Sequence, residues 1–538
     1  MKEVMSVEAE GGQAPLPLPV QGGGGTTRPD LQHRAMKILR AREAYNGYDE
    51  EVGEKPPRFE VWGWYLYEFC SYFVLTVLIP IVFPLIISQL QQLPPDSLQD
   101  WNKNHQGLIC SQKETHLYLK LTSHTIRTST GSKYSSLEWT SIAWATGLAI
   151  AAPVLGFLSF HLDGHFPKLI TAAATGVGVF FCLPAGFFKV TAIFIPYIAG
   201  IVAASTVASA AHTHHLGLMI RSFTGPILKK SQFATRQGVS SWLSLYATAA
   251  GCLGSALISA FTYHMLRELN TNEHDLMSLW VVSIFSGLIW LVGVLHVFTA
   301  TSRTTDSISF ASKLHPFSIF KYPHAIGALA GVFLSSFTTM AIFIGGVLFI
   351  VDHLCIKPLH LLYYWLMYFL FPIVSLPLLQ PMQHMIKMNS VKMQMVGFIL
   401  SLLSSGFGFY FGHNHWKWGH ILVLGAVQST STGILHAFGR VLVLDCAPSG
   451  KEGAFSIWFA WMRAAGLCVG FTVGSVAPGH VRASFGAAFC TAIVGIVVLL
   501  FGNISDVGGA VAAGHVRDDS DQRSSTVPAL DSKDSSRV

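Results

Sequence analysis

Twelve apolar runs recur along the chain, each bounded by polar residues and each long enough for one membrane-spanning helix. Lipid cannot satisfy a bare backbone N–H or C=O, so about 20 consecutive apolar residues fold as a helix that bonds its own polar groups. Helix 1 is expected from Trp64 to Ser88, helix 2 from Ser141 to Phe160, helix 3 from Leu169 to Phe188 and helix 4 from Val190 to Ala211. Helix 5 is expected from Val239 to Tyr263, helix 6 from Leu279 to Ala300, helix 7 from His324 to Ile350 and helix 8 from Leu359 to Leu379. Helix 9 spans Met393 to Phe411, helix 10 His420 to Leu444, helix 11 Ala454 to Val476 and helix 12 Phe485 to Phe501. The fold class expected is all-α, a polytopic membrane protein with 12 transmembrane helices.

The chain also echoes itself. Pro153 to Lys168 reads PVLGFLSFHLDGHFPK, and Pro377 to Lys392 reads PLLQPMQHMIKMNSVK. Both open on Pro-x-Leu, close on Lys at the same spacing, and follow the second helix of their half. A second echo precedes the fifth helix of each half: Arg236-Gln237-Gly238 before Trp242, and Lys451-Glu452-Gly453 before Trp458. The matched positions predict a duplicated six-helix unit, a plan common among secondary transporters. The expected organisation is a disordered segment over 1–60, six-helix halves over 61–301 and 323–502 joined by a linker over 302–322, and a disordered tail over 503–538.

Composition agrees with a membrane protein. The chain is 51% hydrophobic and only 12% charged, against about 25% charged in soluble domains. Its net charge of +6 is spread thinly over loops and tails, with no dense basic patch for a nucleic-acid backbone. The eight cysteines form no CxxC pair, which argues against a zinc or redox motif. Cys110 and Cys355 fall on one side of the membrane in this topology, where they are able to pair. The first segment has no apolar core of a signal peptide. Basic residues of the short loops fall mostly on the side of the N-terminus, Arg236, Arg440 and Lys451 among them, so both termini are expected in the cytosol.

A few polar residues inside apolar runs are candidates for function. Arg463 lies near mid-depth in helix 11, where a charge costs at least a few kcal/mol and faces a cavity or a partner. Its guanidinium suits a carboxylate, of a substrate or of another helix. Glu68, near the start of helix 1, is a candidate proton-coupling site, or an interfacial residue in an aromatic belt with Trp62, Trp64, Tyr65 and Tyr67. Asp163 and Lys168 close the helix 2–3 connection, either as gating contacts to helix ends or as a solvated turn. In helix 10, Gln428, Thr432, His436 and Arg440 recur every fourth residue and share one face. Such a stripe lines a substrate path or bonds neighbouring helices. His212, His214 and His215 read as a polar end of helix 4, without an acidic partner, rather than a metal site. Glycines such as Gly345 and Gly346 suit close helix packing. There is no nucleotide-binding loop, hydrolase or metalloprotease pattern, so neither enzyme nor cofactor is expected.

The twelve-helix plan resembles the major facilitator superfamily. Ser159 to Lys168 is similar to a degraded form of its signature between helices 2 and 3: Asp163 and Lys168 match, whereas Ser159, Phe166 and Pro167 depart from it. A closer resemblance is to the autophagy-related vacuolar amino-acid effluxers. The stretch Trp64-Tyr65-Leu66-Tyr67-Glu68-Phe69 is similar to their opening motif. Gly425-Ala426-Val427-Gln428, Pro448 and Lys451-Glu452 are similar to the pattern of their tenth helix and the loop after it. Arg463 stands where that family has a lysine and His436 where it has an arginine. The resemblance implies a secondary transporter that exports amino acids from a vacuole or lysosome to the cytosol by alternating access. Its substrate site would hold Arg463, Gln428, Thr432 and His436, with Glu68 for a proton and Asp163 and Lys168 for gating. The partners implied are a small-molecule substrate, with protons as a candidate co-substrate, and the lipid bilayer. Residue chemistry alone leaves open another solute (a sugar, nucleoside or organic anion), another membrane such as the plasma membrane, and a non-transporting sensor or scaffold.

Overall fold

The structure is a computed structural model that describes residues 55–91, 112–128, 131–164, 166–225, 228–268, 279–300, 316–352, 358–411, 416–448, 451–476, 478 and 480–517. Cys110 and Cys355 lie outside the described residues. Among the described residues, twelve helices are long and apolar enough to cross a membrane. They run over Arg58–Gln89, Ser136–Leu162, Pro167–Gly186, Thr191–Thr224, Lys230–Leu266, Leu279–Thr299, Pro323–Val351, Leu361–Ile386, Ser390–Tyr410, Trp418–Asp445, Glu452–Val476 and Arg482–Phe501.

Each sequence run lies on its helix, and the misfits fall at the ends. Helix 4 continues past Ala211 to Thr224 because the apolar pattern resumes after the histidines with Leu216-Gly217-Leu218-Met219-Ile220, and Leu216, Met219 and Ile220 are fully buried. The histidines therefore lie inside the helix, not at its end. Arg440 and Arg236 are not loop residues either; both are buried within helices 10 and 5. Helix 1 changes pitch along its length. It is α-helical to Ser71, widens to a π-helix over Val74–Val82 around Pro80, and closes as an α-helix over Phe83–Gln89. Pro80 offers no N–H to the ladder, and such widened stretches recur at functional sites.

Burial repeats with a period of six helices. The spanning windows of helices 1, 4, 5, 7, 10 and 11 are 61–89% buried, and those of helices 2, 3, 6, 8, 9 and 12 only 33–44%. The inner set is thus the first, fourth and fifth helix of each half, and the outer set presents apolar side chains such as Phe187, Phe298, Met385 and Phe501 outward. The chain is a bundle of two six-helix halves whose inner helices meet at the centre. Small residues let those helices close up. On helix 11, a Cβ on Gly466 or Gly470 would strike the Phe333 and Phe337 carbonyls of helix 7, the close approach that glycine permits at helix crossings.

The two sequence echoes meet crosswise in space. Asp163, in the first echo of one half, accepts a hydrogen bond from the Gly453 N–H, in the second echo of the other, at 2.7 Å. Conversely, Gln383 at the end of helix 8 donates to Ser241 near the start of helix 5 at 3.2 Å. Between helices 1 and 2, a short helix at Gln112–Thr122 precedes a hairpin pairing Ile126–Arg127 with Lys133–Tyr134. Gly131 takes the positive φ that its turn requires. Ser135 then caps helix 2 in a reciprocal box with Glu138.

Past helix 12, the stretch from Ser505 holds a helix over Asp506–Ala512 and a strand, Val516–Arg517, that pairs in parallel with Leu228–Lys229. Asp506 accepts from Gln237 of helix 5 and His515 meets the Ala447 carbonyl. This part of the expected tail is ordered against the end of the bundle where Asp163 and Gly453 meet.

Candidate functional site

Helix 1 carries Trp64, Glu68, Tyr72 and Thr76 at four-residue spacing, and the inner helices bring nitrogen groups to Glu68 from two directions. Glu68 is 5% exposed. Its carboxylate lies 2.7 Å from His212 Nε2 of helix 4, 3.3 Å from His436 Nε2 and 3.2 Å from Arg440 Nη1, both of helix 10. Arg440 also donates from Nε and Nη2 to the Ser244 hydroxyl of helix 5, each at 3.1 Å, and its guanidinium stands over the Trp64 ring at 5.1 Å. The pair Glu68–Arg440 therefore joins the first half to the second inside the bundle. The aromatic-belt reading of Glu68 fails on this geometry, because Trp64, Tyr65 and Tyr67 are buried and only Trp62 is exposed.

Next to this pair is a central cavity with about 680 Å³ of empty volume, walled by helices 1, 5, 7, 8, 10 and 11. Arg463, His436 and Thr432 all line it. Arg463 is 8% exposed and stands over the Tyr72 ring at 5.2 Å. Among the described residues no carboxylate reaches it within ion-pair distance. His436 packs against the Tyr72 and Phe459 rings, and the Thr432 hydroxyl meets that of Tyr368 at 3.0 Å. Glu68 pairs with Arg440, which leaves the Arg463 guanidinium as one positive charge at the cavity wall. Among ionised partners, a carboxylate fits a guanidinium best, through two parallel hydrogen bonds.

Gln428 is not brought to this cavity. Four residues turn a helix by about 400°, so each step of four rotates about 40° around the axis, and Gln428 has left the face of His436 and Arg440. It points to helix 9, where it donates to Ser401 at 3.3 Å and accepts from Ser404, and it lines a second cavity of about 520 Å³. Replacing Gln428 by Ala is expected to destabilise the protein by about 1 kcal/mol, the scale of hydrogen bonds between membrane helices. Solute affinity in the central cavity should stay unchanged; a binding isotherm of the variant beside the parent checks this.

Asp163 and Lys168 part company. Asp163 bridges the halves: its Oδ1 accepts from Gly453 at the start of helix 11 and lies 3.2 Å from His214 Nε2. Lys168 stays within its half and donates to the Ala300 carbonyl after helix 6. Two further ion pairs cross between the halves at the same end, Arg221–Glu452 at 2.9 Å and Arg236–Asp445 at 3.1 Å. Asp163, His214 and Glu452 bring ligand atoms within 4.8 Å of one another. The Gly453 N–H bonds Asp163 and Arg221 pairs with Glu452, so both acids of this cluster are already engaged across the halves. Asp163→Asn should weaken this cluster by about 1.5–3 kcal/mol, the worth of hydrogen bonds to charged groups. The population open at this end would rise about tenfold or more. Spin labels at Gly164 and Lys387 should report a longer-distance component in the variant.

Two groupings are not visible in the sequence pattern. The pattern sets Arg440 on the helix 10 stripe without showing its partner, and leaves the histidines of helix 4 without acidic partners. Instead His212 meets Glu68, His214 meets Asp163, and His215 lies 3.1 Å from Glu60. The signal that could have placed them is the apolar run beyond His215, since histidines inside a spanning helix require partners.

No family model matches the chain, and no curated protein matches it in sequence. Its fold does match solved structures. One is the crystal structure of the human organic anion transporter MFSD10 (TETRAN), at 13% identity and a TM-score of 0.51, covering 83% of this chain and 100% of that one.

Proposed function

We propose that this chain, a twelve-helix bundle of the major-facilitator fold, is a secondary transporter that moves a small carboxylate-bearing solute by alternating access. The observation that carries the reading is Arg463: a buried guanidinium on the wall of a central cavity, with no carboxylate of the described residues within reach. The solute's carboxylate completes that charge, and Thr432 and His436 contribute hydrogen bonds beside it. Glu68, which holds Arg440 across the halves, is the group that exchanges a proton. Asp163 latches one end shut, and Lys168 ties helix 3 to the end of helix 6. Rocking the halves then exposes the cavity to each side in turn.

Amino acids and other organic anions both carry the required group. Amino acids are the class that the effluxer resemblance implies, with export from a vacuole or lysosome into the cytosol and both termini cytosolic. Organic anions are the class that the name of the matched human transporter states. A panel of thermal shifts on the purified protein tests the class, because a solute that binds the folded state must stabilise it. Amino acids or organic carboxylates should raise the melting temperature while sugars and nucleosides leave it in place. Stabilisation by neutral solutes alone would overturn the reading.

A further inference from the structure

Six titratable side chains lie in sequence from the latched end of the bundle to the central cavity. Glu60, at the start of helix 1, lies 3.1 Å from His215 of helix 4, whose side chain keeps 13% of its surface exposed. The His215 ring is 5.0 Å from that of His296 on helix 6, and His296 is 5.9 Å from His212. His212 lies 2.7 Å from Glu68, and Glu68 lies 3.3 Å from His436, which lines the cavity. We propose that these residues form a buried proton relay between the latched end and the cavity, and that each solute anion crosses with a proton. The proposal rests on the anion-transport reading above and names its coupling.

The chemistry of the row fits such a relay. Each hop breaks one N–H or O–H bond and forms another, so no oxidant or co-reactant is needed. An imidazole accepts a proton on one nitrogen and releases it from the other. Among the described residues the Nδ1 atoms of His212 and His296 are buried without a hydrogen-bond partner, so a hop along the His215, His296 and His212 rings, whose successive centroids are 5.0 and 5.9 Å apart, takes a ring rotation or a bridging water. Tyr67 packs its ring against both His212 and His296, and its hydroxyl meets Thr175 at 3.2 Å.

The surrounding charges link the proton to the anion. Arg440 of helix 10 holds Glu68, Arg463 of helix 11 stands beyond His436 over Tyr72, and Lys168 of helix 3 is anchored at Ala300, just past helix 6. His214 and Arg221, also on helix 4, are engaged with Asp163 and Glu452. A proton arriving at His436 places a second positive charge beside Arg463. In a low-dielectric cavity that charge is tolerated best when a carboxylate occupies the site. Proton and anion therefore bind cooperatively, as symport requires. Because the row ends at the latched side, it lets the proton leave or arrive there while the solute path at that end is closed.

The test uses the full-length protein in proteoliposomes loaded with a pH-sensitive dye, with labelled glutamate and succinate as probes. In the parent, an imposed pH gradient should drive accumulation, and anion entry should move the internal pH. His296→Gln keeps hydrogen-bonding capacity but cannot carry a proton. It should lose gradient-driven accumulation by about tenfold or more and abolish the dye signal. Exchange of labelled for unlabelled anion at equal pH should stay near the parent level, which shows that the fold and the site survive. His215→Gln, at the mouth of the row, should behave the same way and stands in if His296→Gln does not fold. Unchanged gradient-driven uptake in both variants, or net anion uptake by the parent without proton movement, overturns the relay and leaves the transporter reading standing. No exchange of either probe by folded parent protein counts against the anion reading, and the relay falls with it.

Discussion

Arg463→Ala is expected to lose solute binding while the protein keeps its fold. Truncating one partner of a buried, hydrogen-bonded charge pair costs about 2–5 kcal/mol in binding, which corresponds to a loss of affinity from about 30-fold to over 1,000-fold. Stability should change little or rise, because Arg463 has no carboxylate among the described residues to leave behind and removing it relieves an uncompensated charge. The combination is what distinguishes a ligand-facing arginine from a structural one. If Arg463 held the bundle together, the variant would melt early. Isothermal titration of the parent's best carboxylate, with a melting curve on the same samples, separates the two. An unchanged dissociation constant would remove Arg463 from the site.

Arg440→Met should show the opposite signature, a large loss of stability. The substitution strands Glu68 in the bundle interior with two histidines as its remaining nitrogen contacts, and breaking a buried pair from one side costs about 3–5 kcal/mol. It also removes the bonds to Ser244, on which the Arg440 fork closes. The double variant Glu68→Gln with Arg440→Met should recover much of that loss, since neither charge is then left alone. Thermal unfolding in detergent of the parent, the two single variants and the double variant forms the cycle that measures it. Additive losses would mean that the two residues are not coupled, contrary to their 3.2 Å contact.

The spanning helices were legible because lipid imposes one rule on every residue of a run: the backbone must satisfy itself. The duplicated plan was legible from two short echoes, and the structure gives them a reason, since helix 2 ends on helix 11 and helix 8 ends on helix 5. Helix ends were less legible. The rule that polar residues mark an end fails at His212, because a remote carboxylate neutralises the need for water there. The same rule misplaces Arg236, and the helix 10 stripe does not show what Arg440 meets. Their partners Asp445 and Glu68 are 209 and 372 residues away along the chain, and no local pattern reveals a contact of that span.

The candidate site was legible in part. Arg463, His436 and Thr432 converge on one cavity because helices 10 and 11 both belong to the inner set. Gln428 drops out through the slow rotation of a four-residue stripe around the helix axis. Asp163 was found through its family signature, but its partner, a backbone N–H at the start of helix 11, carries no side-chain signal at all.

Flux through purified protein in proteoliposomes decides whether this chain carries carboxylates on Arg463. Labelled amino acids and organic carboxylates would be offered beside labelled sugars and nucleosides, with and without an imposed pH gradient, using the parent and Arg463→Ala. Saturable uptake of carboxylates alone, driven by the gradient and lost in the variant, is the expected result. Equal carboxylate flux through folded Arg463→Ala, or flux of neutral solutes in preference to carboxylates, would contradict it.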